Sequence, residues 1–196
     1  KDTGEITVKD ASKLDFENSA PDGYSLTVEV TDNGSGTLSD TATVNITVTN
    51  VEETLQGHAV DGYVAGATVF ADADEDGVLD APGEKSAVTD ASGNFTLVDG
   101  SGPLVMVGGV DLSTGLAFTG VLRAPEGASV VTPLTTLMAA LVDQGQSLAE
   151  ASANIASAFG LDRLLIDGQP VDLLNFDPIP DAAAGGADGD AAAQVI

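Results

Sequence analysis

Residues 24–31, Tyr-Ser-Leu-Thr-Val-Glu-Val-Thr, alternate without a break. Tyr24, Leu26, Val28 and Val30 fall on one side, and Ser25, Thr27, Glu29 and Thr31 on the other. Thr41-Ala-Thr-Val-Asn-Ile-Thr-Val48 repeats the pattern with Ala42, Val44, Ile46 and Val48. A strict period of two matches the pleat of a strand and scatters apolar residues around a helix. Both segments therefore read as half-buried antiparallel strands, with Thr on the outer face. Asp32-Asn-Gly-Ser-Gly36 supplies the turn between them. Gly4-Glu-Ile-Thr-Val8 alternates as well, so residues 4–53 read as β.

A second β region runs from 57 to 121. Gly62-Tyr-Val-Ala-Gly-Ala-Thr-Val-Phe-Ala71 leads into residues 72–84, where six carboxylates occupy thirteen positions with no Lys or Arg among them. Such a run repels itself unless something neutralises it. Asp72, Asp74 and Asp76, then Gly77, then Asp80, form an alternation that can wrap oxygen ligands around a hard cation. The glycine permits the sharp turn that aims the Val78 carbonyl inward. Ca²⁺ is the cation that this spacing predicts, with Asp72, Asp74, Asp76 and Asp80 as side-chain ligands, Val78 as a carbonyl donor and Glu84 as a further contact. The loop is not an EF-hand. Counting Asp72 as position one, position twelve is Gly83, and the glutamate comes one place late at Glu84. Thr68-Val-Phe-Ala71 is strand-like, and Pro82 interrupts any exit helix. A calcium loop between strands is the expectation.

Downstream, Ser86 to Leu97 reads as strand, turn, strand, with the turn at Asp90-Ala-Ser-Gly-Asn94. Gly102 to Val121 continues as short apolar strands broken by glycines. The character then changes. Thr132-Pro133 is a helix cap followed by Pro at the first helical position, and Leu134, Leu137, Met138, Leu141 and Val142 recur at helical spacing. Ser147-Leu-Ala-Glu150 is a capping box that opens a second amphipathic stretch ending at Gly160. The two make a helical hairpin, whose apolar faces are expected to pack on the strands of 104–121. Beyond Gly168 the chain is rich in Pro, Ala, Gly and Asp, and reads as a flexible tail.

Two family resemblances follow from these segments. Gly4-Glu-Ile-Thr-Val8, Leu14-Asp-Phe-Glu17, Tyr24 to Asp32, and Val44 to Glu52 occur in the order found in the back half of a cadherin repeat, which residues 2–53 resemble. The resemblance implies Ca²⁺ ligands at Asp15, Glu17, Asp32, Asn50 and Glu52, shared between successive domains. The strand, acidic loop and Asp90-Ala-Ser-Gly-Asn-Phe-Thr-Leu97 segment resembles the prealbumin-like β-sandwiches repeated on bacterial surface proteins. The implied fold is mainly β: antiparallel β-sandwich modules, the first partial, with a C-terminal helical hairpin. The expected organisation is 1–53 (partial cadherin-like repeat), 54–125 (calcium-loop sandwich), 126–168 (helical hairpin) and 169–196 (flexible tail).

Charge narrows the function further. Thirty-one acids face six bases, for a net charge of −25. That excludes nucleic-acid binding, which needs clustered Lys and Arg, and disfavours anionic lipid. The acids are spread along the chain, which favours solubility and divalent cations. With no cysteine, an extracellular chain must be stabilised by something other than disulfides, and metal is the substitute. A chain that starts at Lys1 and shows neither a secretory signal nor an apolar run of membrane-spanning length reads as a mature piece or a fragment.

Signs of catalysis are few. His58 is the sole histidine, in a linker-like stretch that reads as surface, and no nucleophile elbow is present. Asp177-Pro178 reads as an inert turn. With no Trp and only Tyr24 and Tyr63, stacking platforms for sugars are scarce. The expectation is a non-enzymatic, calcium-binding structural module of an extracellular or cell-surface adhesion protein. Its partners would be neighbouring domains of the same chain and a cell-surface protein or glycan. A peptide- or glycan-binding module and a calcium-dependent hydrolase are the alternatives.

Overall fold

The computed structural model describes residues 7, 24–36, 38–49, 51–166 and 168–180. The chain divides into two compact units, Lys1–Glu52 and Glu53–Ile196.

In the first unit, β1 (Tyr24–Thr31) and β2 (Ser39–Ile46) form an antiparallel hairpin. Its register sets Tyr24 opposite Ile46, Leu26 opposite Val44 and Val28 opposite Ala42, so the apolar residues of the two alternating segments share a face. Asp32 closes the turn. Its Oδ1 accepts the backbone N–H groups of Gly34 and Leu38, both at 3.1 Å. This is the ordinary use of an aspartate that starts a turn.

The second unit carries two larger sheets. Its strands are β3 (Thr54–Ala59), β4 (Val64–Ala65), β5 (Thr68–Ala71), β6 (Ser86–Val88), β7 (Asn94–Val98), β8 (Leu104–Val107), β9 (Val110–Asp111), β10 (Val121–Ala124) and β11 (Val130–Val131). A four-stranded antiparallel sheet has the order β10-β8-β5-β6. A three-stranded sheet has the order β11-β3-β7, antiparallel at β3–β7 and parallel at β11–β3. β4 pairs with β9 alone. Val69, Leu104, Met106 and Leu122 from the first sheet meet Ala59, Phe95, Leu97 and Val131 from the second in one buried core. The molecule is thus mainly β.

The strand, turn and strand expected over 86–97 are present, but the two strands do not pair with each other. β6 joins the four-stranded sheet and β7 the three-stranded one, so the Asp90–Asn94 turn is a corner where the chain changes sheets. Thr89 fixes this corner. It is buried, and its hydroxyl donates to the Val64 carbonyl (2.7 Å) and accepts from the Ala67 N–H (2.8 Å). Asp90 then accepts the Asn94 side-chain amide and the backbone N–H groups of Ser92 and Asn94, which hold its carboxyl below the usual range.

Two helices follow, α1 (Pro133–Asp143) and α2 (Leu148–Ala158). Ser147 and Glu150 form a reciprocal capping box at α2, and Thr132 and Thr135 form a second one at α1. α1 lies against the free edge of β10 and not broadly over the strands of 104–121. The Arg123 N–H donates to Thr136 Oγ1 (2.9 Å), and Thr135 Oγ1 donates to the Arg123 carbonyl (2.9 Å). Two threonines therefore satisfy backbone groups that an edge strand would otherwise present for pairing. Arg123 also pairs with Asp143 at 2.6 Å.

Residues 169–180 are a correction to the flexible tail. A 3₁₀ turn (Leu161–Arg163) leads to β12 (Leu165–Ile166) and β13 (Gln169–Pro170). Leu173 and Phe176 are then buried in a second core with Leu134, Met138, Ile155 and Leu161. The Leu174 carbonyl accepts the Ser129 N–H at 2.9 Å, and Ser129 Oγ meets Asn175 Oδ1 at 2.6 Å. Two large apolar side chains outweigh the turn-forming composition around them. Among the described residues, no helix is long and apolar enough to cross a membrane.

Candidate metal centre

The acidic run forms the loop from β5 to β6, two adjacent antiparallel strands, so its ends are held by a sheet. Asp72 anchors it. The residue is fully buried, and its N–H donates to the Pro103 carbonyl at 2.8 Å. Gly102, at φ +104°, makes that approach possible: a Cβ there would lie 2.7 Å from the Asp72 carbonyl oxygen.

From this anchor the loop curls over its own carboxylates. Asp72 Oδ1 and Oδ2 accept the N–H groups of Asp76 (3.1 Å) and Gly77 (2.9 Å). Asp76 Oδ1 accepts the Val78 N–H at 2.7 Å. Glu84 closes the far end, with Oε1 on the Ala73 N–H (2.7 Å) and Oε2 on the Asp80 N–H (3.0 Å). Two residues turn with left-handed backbones, Gly77 at φ 79° and Glu75 at φ 62°. Only the former is free of steric cost.

Two groups of carboxylate oxygens result, Asp72–Asp74–Glu84 and Asp74–Asp76–Asp80, each with its ligand atoms within 4.8 Å of one another. Asp74 belongs to both. Like charges at that separation repel by about 1 kcal/mol per pair even at the dielectric of water. Among the described residues no Lys, Arg or His pairs with any of these acids. The donor set is entirely oxygen and entirely anionic, which suits a hard divalent cation and not a soft one. These acidic clusters could hold a metal ion.

Val78 sits in the curl with its side chain exposed. Asp32 and Glu52 belong to neither group, and Asp32 is engaged in closing the β1–β2 turn. Asp15, Glu17 and Asn50 lie outside the described residues.

A second polar constellation escaped the sequence reading. His58 is not in a linker but in β3, and its Nδ1 lies 3.5 Å from Asp177 Oδ2. Tyr63 donates its hydroxyl to the same oxygen at 2.8 Å and stacks edge-on against the imidazole, with ring centres 6.1 Å apart. Burial, together with the hydrogen bond to and the charge of Asp177, pushes the Tyr63 phenol up to about 12. Asp177 Oδ1 accepts the Ile179 N–H at 3.0 Å. Tyr63 has φ 37°, a costly conformation for a bulky side chain, and its carbonyl accepts the Leu112 N–H at 2.9 Å. Nothing local in the sequence joins these residues, because the partners are 114 positions apart.

No family model matches the chain, and neither the comparison with curated proteins nor that with solved structures found a match.

Proposed function

We propose that this chain is a calcium-binding structural module of an extracellular cell-adhesion protein, in which Ca²⁺ stiffens the β-unit that carries the Asp72–Glu84 loop. One observation carries the reading: two carboxylate groups share Asp74 on a loop whose first acid is buried and whose ends are fixed by a sheet. Ca²⁺ accepts six to eight oxygens in irregular arrangements, whereas Mg²⁺ demands a near-ideal octahedron and keeps its waters. Asp72, Asp74, Asp76, Asp80 and Glu84 would hold the ion, with the Val78 carbonyl as a further donor. The ion would supply charge neutralisation and no chemistry. Its binding free energy then adds to folding stability.

The two sheets and their common core are read as a β-sandwich of the prealbumin-like kind, and residues 2–53 as the back half of a cadherin-like repeat. In that repeat Asp15, Glu17, Asp32, Asn50 and Glu52 would form a second calcium set. Support comes from the order of the motifs, the acidity of every segment and the lack of cysteine. The deciding experiment is a melting curve of the whole chain in Ca²⁺ and in EDTA at matched ionic strength. A calcium-dependent rise is expected, and an unchanged midpoint overturns the reading.

A further inference from the structure

The outer face of the β3–β7 pair carries a polar grid that the calcium loop does not use. In the register, Gln56 lies opposite Thr96 and His58 opposite Asn94. Cross-strand side chains start about 5 Å apart, and neighbours two positions along a strand about 7 Å apart. Four hydrogen-bonding side chains thus mark the corners of a patch about as wide as one sugar ring. The patch floors a cleft of about 560 Å³, walled by Asn175, Asp177 and Pro180. That volume is in the range of small-molecule sites.

Which ligand fits follows from which groups remain uncommitted. Asp177 has both oxygens engaged, by Tyr63 with His58 and by the Ile179 N–H. Asp90, behind Asn94, is occupied by the Asn94 amide and two backbone N–H groups. Asn175 bonds Ser129 and Asp172. Asp177, and Asp90 bonded to Asn94, keep their negative charge, which disfavours an anionic ligand, while their hydrogen bonds leave direct contacts in the cleft to neutral groups. Still available among the described residues are the Gln56 amide, the Thr96 hydroxyl, the second nitrogen of His58 and the Asn94 side-chain oxygen. This set of neutral donors and acceptors is complementary to a polyol. Asp177 Oδ2, held by the Tyr63 hydroxyl, lies 3.5 Å from His58 Nδ1, and the Tyr63 ring packs edge-on against the imidazole, contacts that restrict the imidazole before a ligand arrives.

We propose that this cleft binds a neutral saccharide through Gln56, His58, Asn94 and Thr96, independently of the calcium loop. The test is chemical-shift mapping on the whole ¹⁵N-labelled chain, titrated with galactose, mannose, N-acetylglucosamine, their disaccharides and, as an anionic control, glucuronate. At least one neutral sugar should shift residues 56, 58, 94 and 96, and glucuronate should not. Gln56→Ala and the isosteric Thr96→Val should each weaken binding by roughly tenfold, as the loss of one or two hydrogen bonds would. Both residues are exposed, and the calcium-dependent melting rise should persist in both variants. No shift at sugar concentrations on the order of 10 mM, shifts confined to other surfaces, shifts at these residues as large with glucuronate as with the neutral sugars, or unchanged affinity in both variants would each overturn the proposal.

Discussion

Replacing Asp74 by Asn separates metal binding from folding more cleanly than any other change in the loop. Asp74 is exposed, and its one hydrogen bond, from the Asp76 N–H at 3.3 Å, falls on Oδ1, an acceptor that asparagine retains. Removing the charge also relieves its screened repulsion from Asp72, Asp76, Asp80 and Glu84, so the calcium-free variant should melt at or a few degrees above the parent, never below it. The calcium increment should respond differently, because Asp74 is the one acid present in both carboxylate groups. Extracellular calcium modules work at about 10⁻⁴–10⁻³ M. At 10 mM free Ca²⁺, RT ln(1 + [L]/Kd) then comes to about 1.4–2.7 kcal/mol for the parent. For a unit spanning residues 53–196 this is a rise of roughly 3–10 °C. A tenfold loss of affinity in Asp74→Asn removes at least about half of that increment. Differential scanning calorimetry with CaCl₂, EDTA and NaCl at equal ionic strength makes the measurement. The salt control matters because a chain of net charge −25 gains from screening alone. An undiminished calcium rise in Asp74→Asn, or a parent rise fully reproduced by NaCl, would refute the reasoning.

Three further outcomes follow from the geometry. Phe176→Ala empties a buried position in the second core and should cost about 3–5 kcal/mol, a fall of roughly 6–20 °C on the same calorimeter; a change below about 1 kcal/mol would mean that residues 169–180 do not pack there. Asp90, Asp111 and Glu150 all have their carboxyls lowered, each by side-chain hydrogen bonds first. Their contribution is therefore present above the ordinary carboxylate range and is lost as pH falls through their lowered values. A plot of melting temperature against pH should drop in acid, and Glu150→Gln should flatten part of the drop. Tyr63 behaves oppositely: with its phenol raised to about 12, its contribution is complete below the ordinary tyrosine value and fades as pH climbs toward 12. Absorbance titration in alkali should show a late-ionising phenol that Tyr63→Phe abolishes.

Much of the secondary structure was legible because its causes are local. Alternation over eight residues is enough to place β1 and β2 on opposite sides of the Asp32 turn. Ser147 and Glu150 are close enough in sequence to announce their own capping box. The acidic loop was legible for the same reason, since its oxygens come from within thirteen consecutive positions. The second capping box, Thr132 with Thr135, was less visible because threonine at the third helical position is an unusual partner.

What the sequence determined by itself is therefore a set of strands, two capped helices and a run of carboxylates spaced for a hard cation. Each is written in neighbours whose hydrogen bonds close within a few residues. Tertiary structure alone decided the rest. It sent β6 and β7 to different sheets, buried Asp72 beneath Gly102 and Pro103, and returned Phe176 and Asp177 to α1, α2 and β3. It also turned a histidine in a linker-like stretch into one corner of a polar cleft. Those choices depend on which distant surfaces exclude water together, and a residue's immediate neighbours carry no record of a partner more than a hundred positions away.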